Sequence, residues 1–439
     1  MLSAETLSQA SLHATCSKLH AQRRASFGAR PATARANPRG PTSRVGGDRV
    51  RCGGSSMPSY REWRDHDPSA SGSTVDQLES IELQADVAAT MCEAQISMPG
   101  PIDGPDYASV TRNLALELVR VTEAAAIQSG RWMGRGDKNA ADQAAVDAMR
   151  KVLSAVSMDG IVVIGEGEKD EAPMLYCGER IGDGKKPAVD IAVDPLDGTT
   201  LTAQGRPGAI SVIALAERGS LFDPGPCVYM NKLAAGPGVK HVVDIRNTTR
   251  QNIEAIARVL HNGRVQDVSV AILDRPRHDE LVQEVRDVGA RAFLISDGDV
   301  AEAISTAQPQ TGIDLMLGIG GTPEGVIAAC ALKCLGGTFQ GILHPRNEEE
   351  RQLAIAKGYD LDKVLELEDL VASEEIFFAA TGVTGGDLLR AVRYTREGAM
   401  THSVVMRNKT GTVRMIETHH KWHKPGLTNL HISQDYSTL

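Results

Sequence analysis

The sequence predicts an α/β protein built as two α/β domains sharing an active-site cleft, on three observations. Short β-branched runs alternate with segments of helical periodicity over most of the chain. The 439 residues include 43 glycines and are 41% apolar, which suits a glycine-punctuated enzyme with a large core and not a disordered or fibrous chain. Several apolar runs stop at a carboxylate, and the carboxyl ends of strands are where open α/β sheets bind ligands.

Taken in order, Leu114, Leu118, Val121 and Ala125 recur at helical spacing and predict a first long helix. Gly134-Arg-Gly-Asp-Lys-Asn139 is a loop, and 140–156 reads as a second helix. Ile161-Val-Val-Ile164 is a strand ending in Gly165-Glu166-Gly167-Glu168, and Ile191–Val193 is another that stops at Asp194 because Pro195 cannot continue it. A strand at 210–216 follows. The second half predicts strands at 268–273, 292–295, 313–319, 376–380 and 403–406, with helices at 279–288, 300–305 and 324–335 and a further segment starting at 360–364. No internal repeat is present, and the break at 262–265 is the expected boundary between an N-terminal domain (113–263) and a C-terminal one (264–420).

The chemistry concentrates in Asp194-Pro-Leu-Asp-Gly-Thr-Thr200, where two carboxylates and two hydroxyls crowd one corner. Two unit charges about 4 Å apart repel by about 1 kcal/mol in water and about 4 kcal/mol at an effective dielectric of about 20. A hard divalent cation between them is the simplest relief. The alternative is an Asx-rich turn with both carboxylates in solvent. Further acids sit at similar places. Asp142 lies in the first turn of its helix, and Glu166 stands between two glycines after a strand. Glu324 follows Thr322, expected as the N-cap, and Pro323 at the first helical position. Glu324 on its own reads equally as ordinary helix design, and Glu168, Asp170 and Glu171 read as a solvated charged loop. No Ser-His or Cys-His arrangement supplies a nucleophile, so water is expected, helped by the Thr199 hydroxyl.

Asp194-Pro-Leu-Asp-Gly-Thr199 matches the D-P-[ILM]-D-G-T signature of the metal-dependent, lithium-sensitive sugar and inositol phosphatases. Gly134–Asn139, Val163-Ile-Gly-Glu-Gly-Glu168, Asp274-Arg-Pro-Arg-His278, Ser296-Asp-Gly-Asp-Val300 and Gly318-Ile-Gly-Gly-Thr-Pro-Glu-Gly325 narrow the likeness. From about residue 114 to about 414 the chain resembles the class II, bacterial-type, GlpX-like fructose-1,6-bisphosphatases. The resemblance implies a layered sugar-phosphatase fold and two Mg²⁺ or Mn²⁺ ions. Asp142 and Glu166 would hold one, and Asp194, Asp197 and Glu324 the other. It gives Thr199 the role of positioning the attacking water, with Asp142 as a further catalytic group. Lys138, in the Gly-rich loop near Asp142, is expected as a catalytic group meeting a phosphate or an acid of the cluster, the alternative being a solvent-exposed loop lysine. The resemblance implies that Arg275 and Arg277, held extended by Pro276, grip the phosphate that is not cleaved. Substrate positions also fall on Asp197, Gly198, Thr199, Tyr229, Gly298 and Gly321. Asp297 and Asp299 would accept hydrogen bonds from sugar hydroxyls, against the alternative of an Asx turn with Asp299 capping a helix. The implied reaction is hydrolysis of the 1-phosphate of fructose 1,6-bisphosphate, with sedoheptulose 1,7-bisphosphate as the alternative substrate and a catalytically silent sugar-phosphate sensor as the alternative of another class. One departure is that Gly182-Asp-Gly-Lys-Lys-Pro187 stands where dual-activity cyanobacterial relatives carry a longer, cysteine-bearing insertion.

The net charge of −9 conceals two different stretches. Residues 1–55 carry nine Lys/Arg against two acids, leaving about −16 on the remainder. That acidic body argues against a nucleic-acid partner. No apolar run approaches the roughly 20 residues that span a bilayer, so no membrane partner is expected. Residues 1–51, rich in Ala, Ser and Arg, have the composition of an organelle transit peptide. Carbon reduction by the family favours the plastid, with the mitochondrion as alternative. Residues 52–112 read as a linker or weakly ordered extension, and 421–439 as a tail. The seven cysteines lack C-x-x-C spacing, so neither zinc nor a dithiol motif is indicated, and Cys330 and Cys334 are expected as small core residues. The expected partners are a small sugar bisphosphate and further copies of the chain, the latter from the resemblance alone.

Overall fold

The structure is a computed structural model that describes residues 114–166 and 175–422. The expected leader, the extension, the acids Glu168, Asp170 and Glu171, and the tail from residue 423 onward lie outside the described residues.

The described part of the chain opens with helices α1 (Leu114–Ser129) and α2 (Lys138–Leu153), then β1 (Asp159–Ile164), β2 (Arg180–Ile181), β3 (Ala188–Asp197), α3 (Thr199–Gln204) and β4 (Ile210–Glu217). Its middle supplies β5 (Tyr229–Ala235), α4 (Thr249–Leu260), β6 (Ser269–Leu273), α5 (Asp279–Val288), β7 (Arg291–Ile295), α6 (Asp299–Ser305), β8 (Leu315–Gly321), α7 (Thr322–Leu335) and β9 (Thr338–Leu343). It ends with α8 (Glu348–Ala356), α9 (Leu367–Leu370), β10 (Phe377–Gly382), β11 (Arg393–Tyr394), β12 (Gly398–Arg407) and β13 (Thr412–Lys421).

These elements make an eight-stranded sheet, in the order β11-β12-β10-β4-β3-β1-β2 with β13 on β12, and a five-stranded sheet, β7-β6-β8-β5-β9. The α/β class expected from the sequence is what forms. Strand membership does not follow a single cut at 263/264. β5 precedes that point yet belongs to the second sheet, and β10 to β13 follow it yet complete the first. The pairing explains why: β4 is apolar and almost wholly buried, so it needs a neighbour on both edges and finds β10 there.

Three apolar clusters hold the layers. Helices α1 and α2 cover the outer face of the first sheet through Leu118, Ile127, Met149 and Leu153 against Ile191, Val193 and Ile213. Helices α4 and α5 cover the outer face of the second through Ile253, Ile256 and Val285. Between the sheets lie α6 and α7, and Ile327, Ala331 and Cys330 of α7 pack among residues of both. The result is five layers, with α7 enclosed on two sides and apolar nearly all round, as a buried helix must be.

Three local expectations change. β3 does not stop at Asp194: it runs to Asp197, and its pairing with β4 passes from Asp194↔Val212 to Asp197↔Ile210. The bulge takes up Pro195 where no ladder amide is required. α2 begins at Lys138, capped by the Asp137 side chain, which accepts from Ala140 N at 3.0 Å. That earlier start puts Asp142 in the second turn. α7 begins at Thr322 with Gly321 as its N-cap, so Thr322 does not cap, and its hydroxyl is buried without a hydrogen-bond partner among the described residues.

Candidate active site

The five acids come from elements far apart in sequence: α2 (Asp142), the end of β1 (Glu166), the β3 bulge (Asp194 and Asp197) and the first turn of α7 (Glu324). Each has its carboxyl pushed up, first by burial, and Glu166, Asp194 and Asp197 are raised further by other acids of the group. Glu166 rises to about 7 through burial, then Asp142 and Glu324. Asp194 rises well above the usual range through burial and then Asp197, Glu166, Glu324 and Asp142. Burial also raises Asp197, with Asp299 and Glu324 adding, and raises Glu324 against the opposing charge of Lys232. Asp142 is raised by burial alone. Charges this deep are costly unless something positive joins them.

An Asx turn does form at the corner, since Asp194 Oδ1 accepts from Leu196 N at 3.0 Å, but the corner is not in solvent: Asp194 is half-buried and Asp197 only 5% exposed. Among the described residues, Ser296 Oγ, Thr322 Oγ1 and Glu324 Oε2 are buried here without hydrogen-bond partners. Orphaned oxygens beside crowded carboxylates are the donor set of a hard cation. No three acidic, histidine or cysteine side chains among the described residues already stand as a formed cage.

The two acidic loops are stitched to each other. Val300 N donates to Asp197 Oδ2 at 3.2 Å, and Thr200 N donates to Asp297 Oδ2 at 3.0 Å. Gly298, at φ +79°, lies against the Asp197 carboxylate. Asp299 is the first residue of α6, and its Oδ2 accepts from the ammonium of Lys232 at 2.7 Å, both groups being buried. Sequence reading missed Lys232 altogether. A lysine amid the Tyr229–Ala235 segment looks like a break in an apolar run, and no local signal shows that β5 buries it.

Arg275 Nη1 donates to Ser296 O at 2.7 Å, and its Nη2 stands 3.7 Å from Asp297 Oδ1. Arg277 donates through Nε and Nη2 to Ile319 O and lies over the Tyr229 ring, 5.4 Å from its centroid. Tyr229 pairs with Gly321 across β5 and β8, so these two expected substrate positions are cross-strand neighbours. Pro276 and Arg277 form a 3₁₀ turn with His278. His278, quoted in the motif but given no role, proves to be its anchor. Its Nδ1–H donates to Leu273 O at 2.7 Å and its Nε2 accepts from Ile319 N at 2.8 Å, which requires the neutral ring; burial lowers its pKa accordingly. Gly318, at φ +127°, leaves room for that ring, since a Cβ there would stand 2.9 Å from His278 Nε2.

Thr199 is half-buried at the start of α3, directly after Gly198 at φ +97°. Lys138 is exposed at the start of α2 and makes no ion pair with an acid among the described residues. Cys330 and Cys334 are buried on α7 as expected, and burial pushes the Cys334 thiol up to about 12 and that of Cys330 higher still, which leaves both inert. Behind α6 lies a cavity of about 80 Å³ lined in part by Ile210, Phe293, Ile295, Glu302, Ile313 and Asp387. Glu302 there is pushed up to about 7 by burial, with Asp387 adding to it.

Layered α/β architecture, acids at strand ends and an arginine pair beside them together define an α/β phosphatase. The chain belongs to the family described as bacterial fructose-1,6-bisphosphatase, glpX-encoded, whose model matches residues 112–420. It is 45% identical to the D-fructose 1,6-bisphosphatase class 2/sedoheptulose 1,7-bisphosphatase of Thermosynechococcus vestitus, over 70% of this chain and 95% of that one. It is also 45% identical to the fructose-1,6-bisphosphatase class 2 of Haemophilus influenzae (71% and 97% covered) and 44% identical to fructose-1,6-bisphosphatase 1 class 2 of Escherichia coli (70% and 95%).

Proposed function

We propose that this chain is a fructose-bisphosphatase that hydrolyses the 1-phosphate of fructose 1,6-bisphosphate, releasing fructose 6-phosphate and phosphate, by cation-assisted attack of water. The observation that carries the cation is the crowding of Asp142, Glu166, Asp194, Asp197 and Glu324, which after burial raises Glu166 and Asp194 further, beside a Glu324 oxygen without a hydrogen-bond partner among the described residues. Family membership and the relatives' names carry the substrate.

In this reading Asp142 and Glu166 hold one Mg²⁺ or Mn²⁺, and Asp194, Asp197 and Glu324 a second, because all-oxygen donors select hard cations. When bound, such ions polarise the phosphoryl group and stabilise charge on the attacking and leaving oxygens. The Thr199 hydroxyl orients the attacking water, and Asp142 receives its proton. Lys138, on its mobile four-carbon stem, meets the departing phosphate. Arg275 and Arg277 hold the other phosphate, while Tyr229, Gly321, Asp297 and Asp299 orient the sugar. Phosphate release from fructose 1,6-bisphosphate should vanish in chelator and return with Mg²⁺ or Mn²⁺. Release that persists without any divalent ion would end the cation mechanism, and no release at all would end the hydrolase reading.

The Thermosynechococcus relative's double name favours one further test, sedoheptulose 1,7-bisphosphate assayed beside the fructose ester. Composition supports an organelle leader over residues 1–51, and the cyanobacterial relative favours the plastid over the mitochondrion; imaging a fusion of residues 1–95 to a fluorescent protein would check it. Homo-oligomerisation is a question for light scattering. No helix among the described residues is long and apolar enough to cross a membrane.

A further inference from the structure

We propose that Lys232 is a positioning residue of the hydrolase site, its buried ammonium setting the orientation in which Asp299 meets the sugar. This rests on the bisphosphatase reading above and adds a residue to it.

The lysine is built in, not tolerated. It lies on β5, between β8 and β9, and its cross-strand neighbours are glycine on both sides, Gly318 and Gly341. A Cβ on Gly320 would stand 2.1 Å from Asp299 Oδ2 and 2.9 Å from Lys232 Nζ, and one on Gly325 would stand 3.5 Å from Lys232 Cε. Larger residues at Gly320 would collide with the ion pair itself. Gly320 therefore makes a seat for the pair, and Gly325 leaves space along the lysine stem. Lys232 is 1% exposed and Asp299 7%, so neither is a surface residue that happened to find a partner.

A buried ion pair is a poor source of net stability, and an apolar pair of like volume would often serve the fold as well. Its use here follows from what it is attached to. Asp299 opens α6, and the next residue, Val300, donates its amide to Asp197 in the acid cluster. Lys232 thus grips the first turn of α6 from the second sheet while Asp197 grips it from the first. With Oδ2 committed to the ammonium, the remaining oxygen of Asp299 has one defined direction in which to receive a sugar hydroxyl. The charge of Lys232 also opposes the burial of Asp197 and Glu324 nearby, without bonding to either.

The test is a cycle of Lys232→Met, Asp299→Asn and the double variant, read by KM and kcat for fructose 1,6-bisphosphate at saturating Mg²⁺ and by melting temperature. Lys232→Met leaves a buried carboxylate unpaired, so it should melt lower and raise KM at least tenfold with a smaller change in kcat. The double variant, with no charge left unpaired, should regain the melting temperature but keep the high KM of Asp299→Asn, showing that the two residues act through one contact. If KM recovers together with the melting temperature, Lys232 serves the fold alone and the proposal is overturned. The same holds if a folded Lys232→Met keeps the parent KM. Should Lys232→Met fail to fold, Lys232→Gln, which removes the charge but keeps a donor, is read by the same comparison of KM with the parent, and a parent KM there overturns the proposal. Failure of the underlying reading is separate, because it appears as absence of phosphate release by the unaltered chain.

Discussion

Glu302→Gln should make the protein's stability less sensitive to pH, and the size follows from the cavity behind α6. An ordinary glutamate carboxyl sits at 4.5, and burial raises this one to about 7. An acid whose folded pKa is raised binds its proton more tightly when folded, so its contribution is most favourable below 4.5 and is lost as pH climbs toward and past 7. At about 1.36 kcal/mol per unit, the full cost at high pH is about 3 kcal/mol, of which roughly 1 kcal/mol is already present at about pH 5.5. The parent should thus lose about 2 kcal/mol from this residue between about pH 5.5 and 8.5. For an ordered region of this size 1 kcal/mol moves the midpoint by about 1.5–2 °C, so the difference between parent and variant should change by about 3–4 °C across that range. Thermal melts of both proteins at four or five pH values measure it. Parallel curves would refute the claim that Glu302 is buried against its charge, whatever their vertical offset.

Three further outcomes follow from the site. Thr199→Ala should cut kcat by about a hundredfold or more while calorimetric affinity for Mn²⁺ stays within a few-fold, since a hydroxyl that orients water adds little to ligation. Arg277→Lys should raise KM by roughly tenfold, because a lysine cannot keep the forked contact to Ile319 O and the Tyr229 ring while also reaching a phosphate; steady-state kinetics would show it. Gly318→Ala should destabilise by about 2 kcal/mol or more in urea unfolding, through its positive φ and the collision with His278.

The parts of the site that were legible in the sequence share a physical reason. Glu166 follows a β-branched run that has to be interior, so its position at a strand end could be inferred without knowing the fold, and the same kind of run marked Asp194 as lying on a buried strand. The acids Asp142 and Glu324 sit in helices whose limits shift by two residues between expectation and structure, and neither could be grouped with the others except through the resemblance. Lys232 and the anchoring role of His278 were invisible because both depend on cross-strand register: only when β5 lies between β8 and β9 do glycines surround a lysine, and only when β6 and β8 adjoin can one imidazole bridge them. β5 and β9 themselves were missed, since Met-Asn-Lys and Thr-Phe-Gln-Gly break the apolar alternation that marks a strand. The termination of β3 at Pro195 was misjudged for the converse reason. A proline bars a regular ladder, but a bulge asks for no amide at that point.

The entry of the middle segment between β4 and β10 has a consequence for synthesis. As the chain leaves the ribosome, β4 emerges with one flank bare, and its permanent neighbour, Phe377–Gly382, is not made until about 160 residues later. Throughout that interval the edge of a largely apolar strand is open to any passing partner, which is the circumstance in which nascent chains recruit chaperones or aggregate. A truncation before residue 377 would leave the edge bare for good, although every acid of the catalytic corner would still be present.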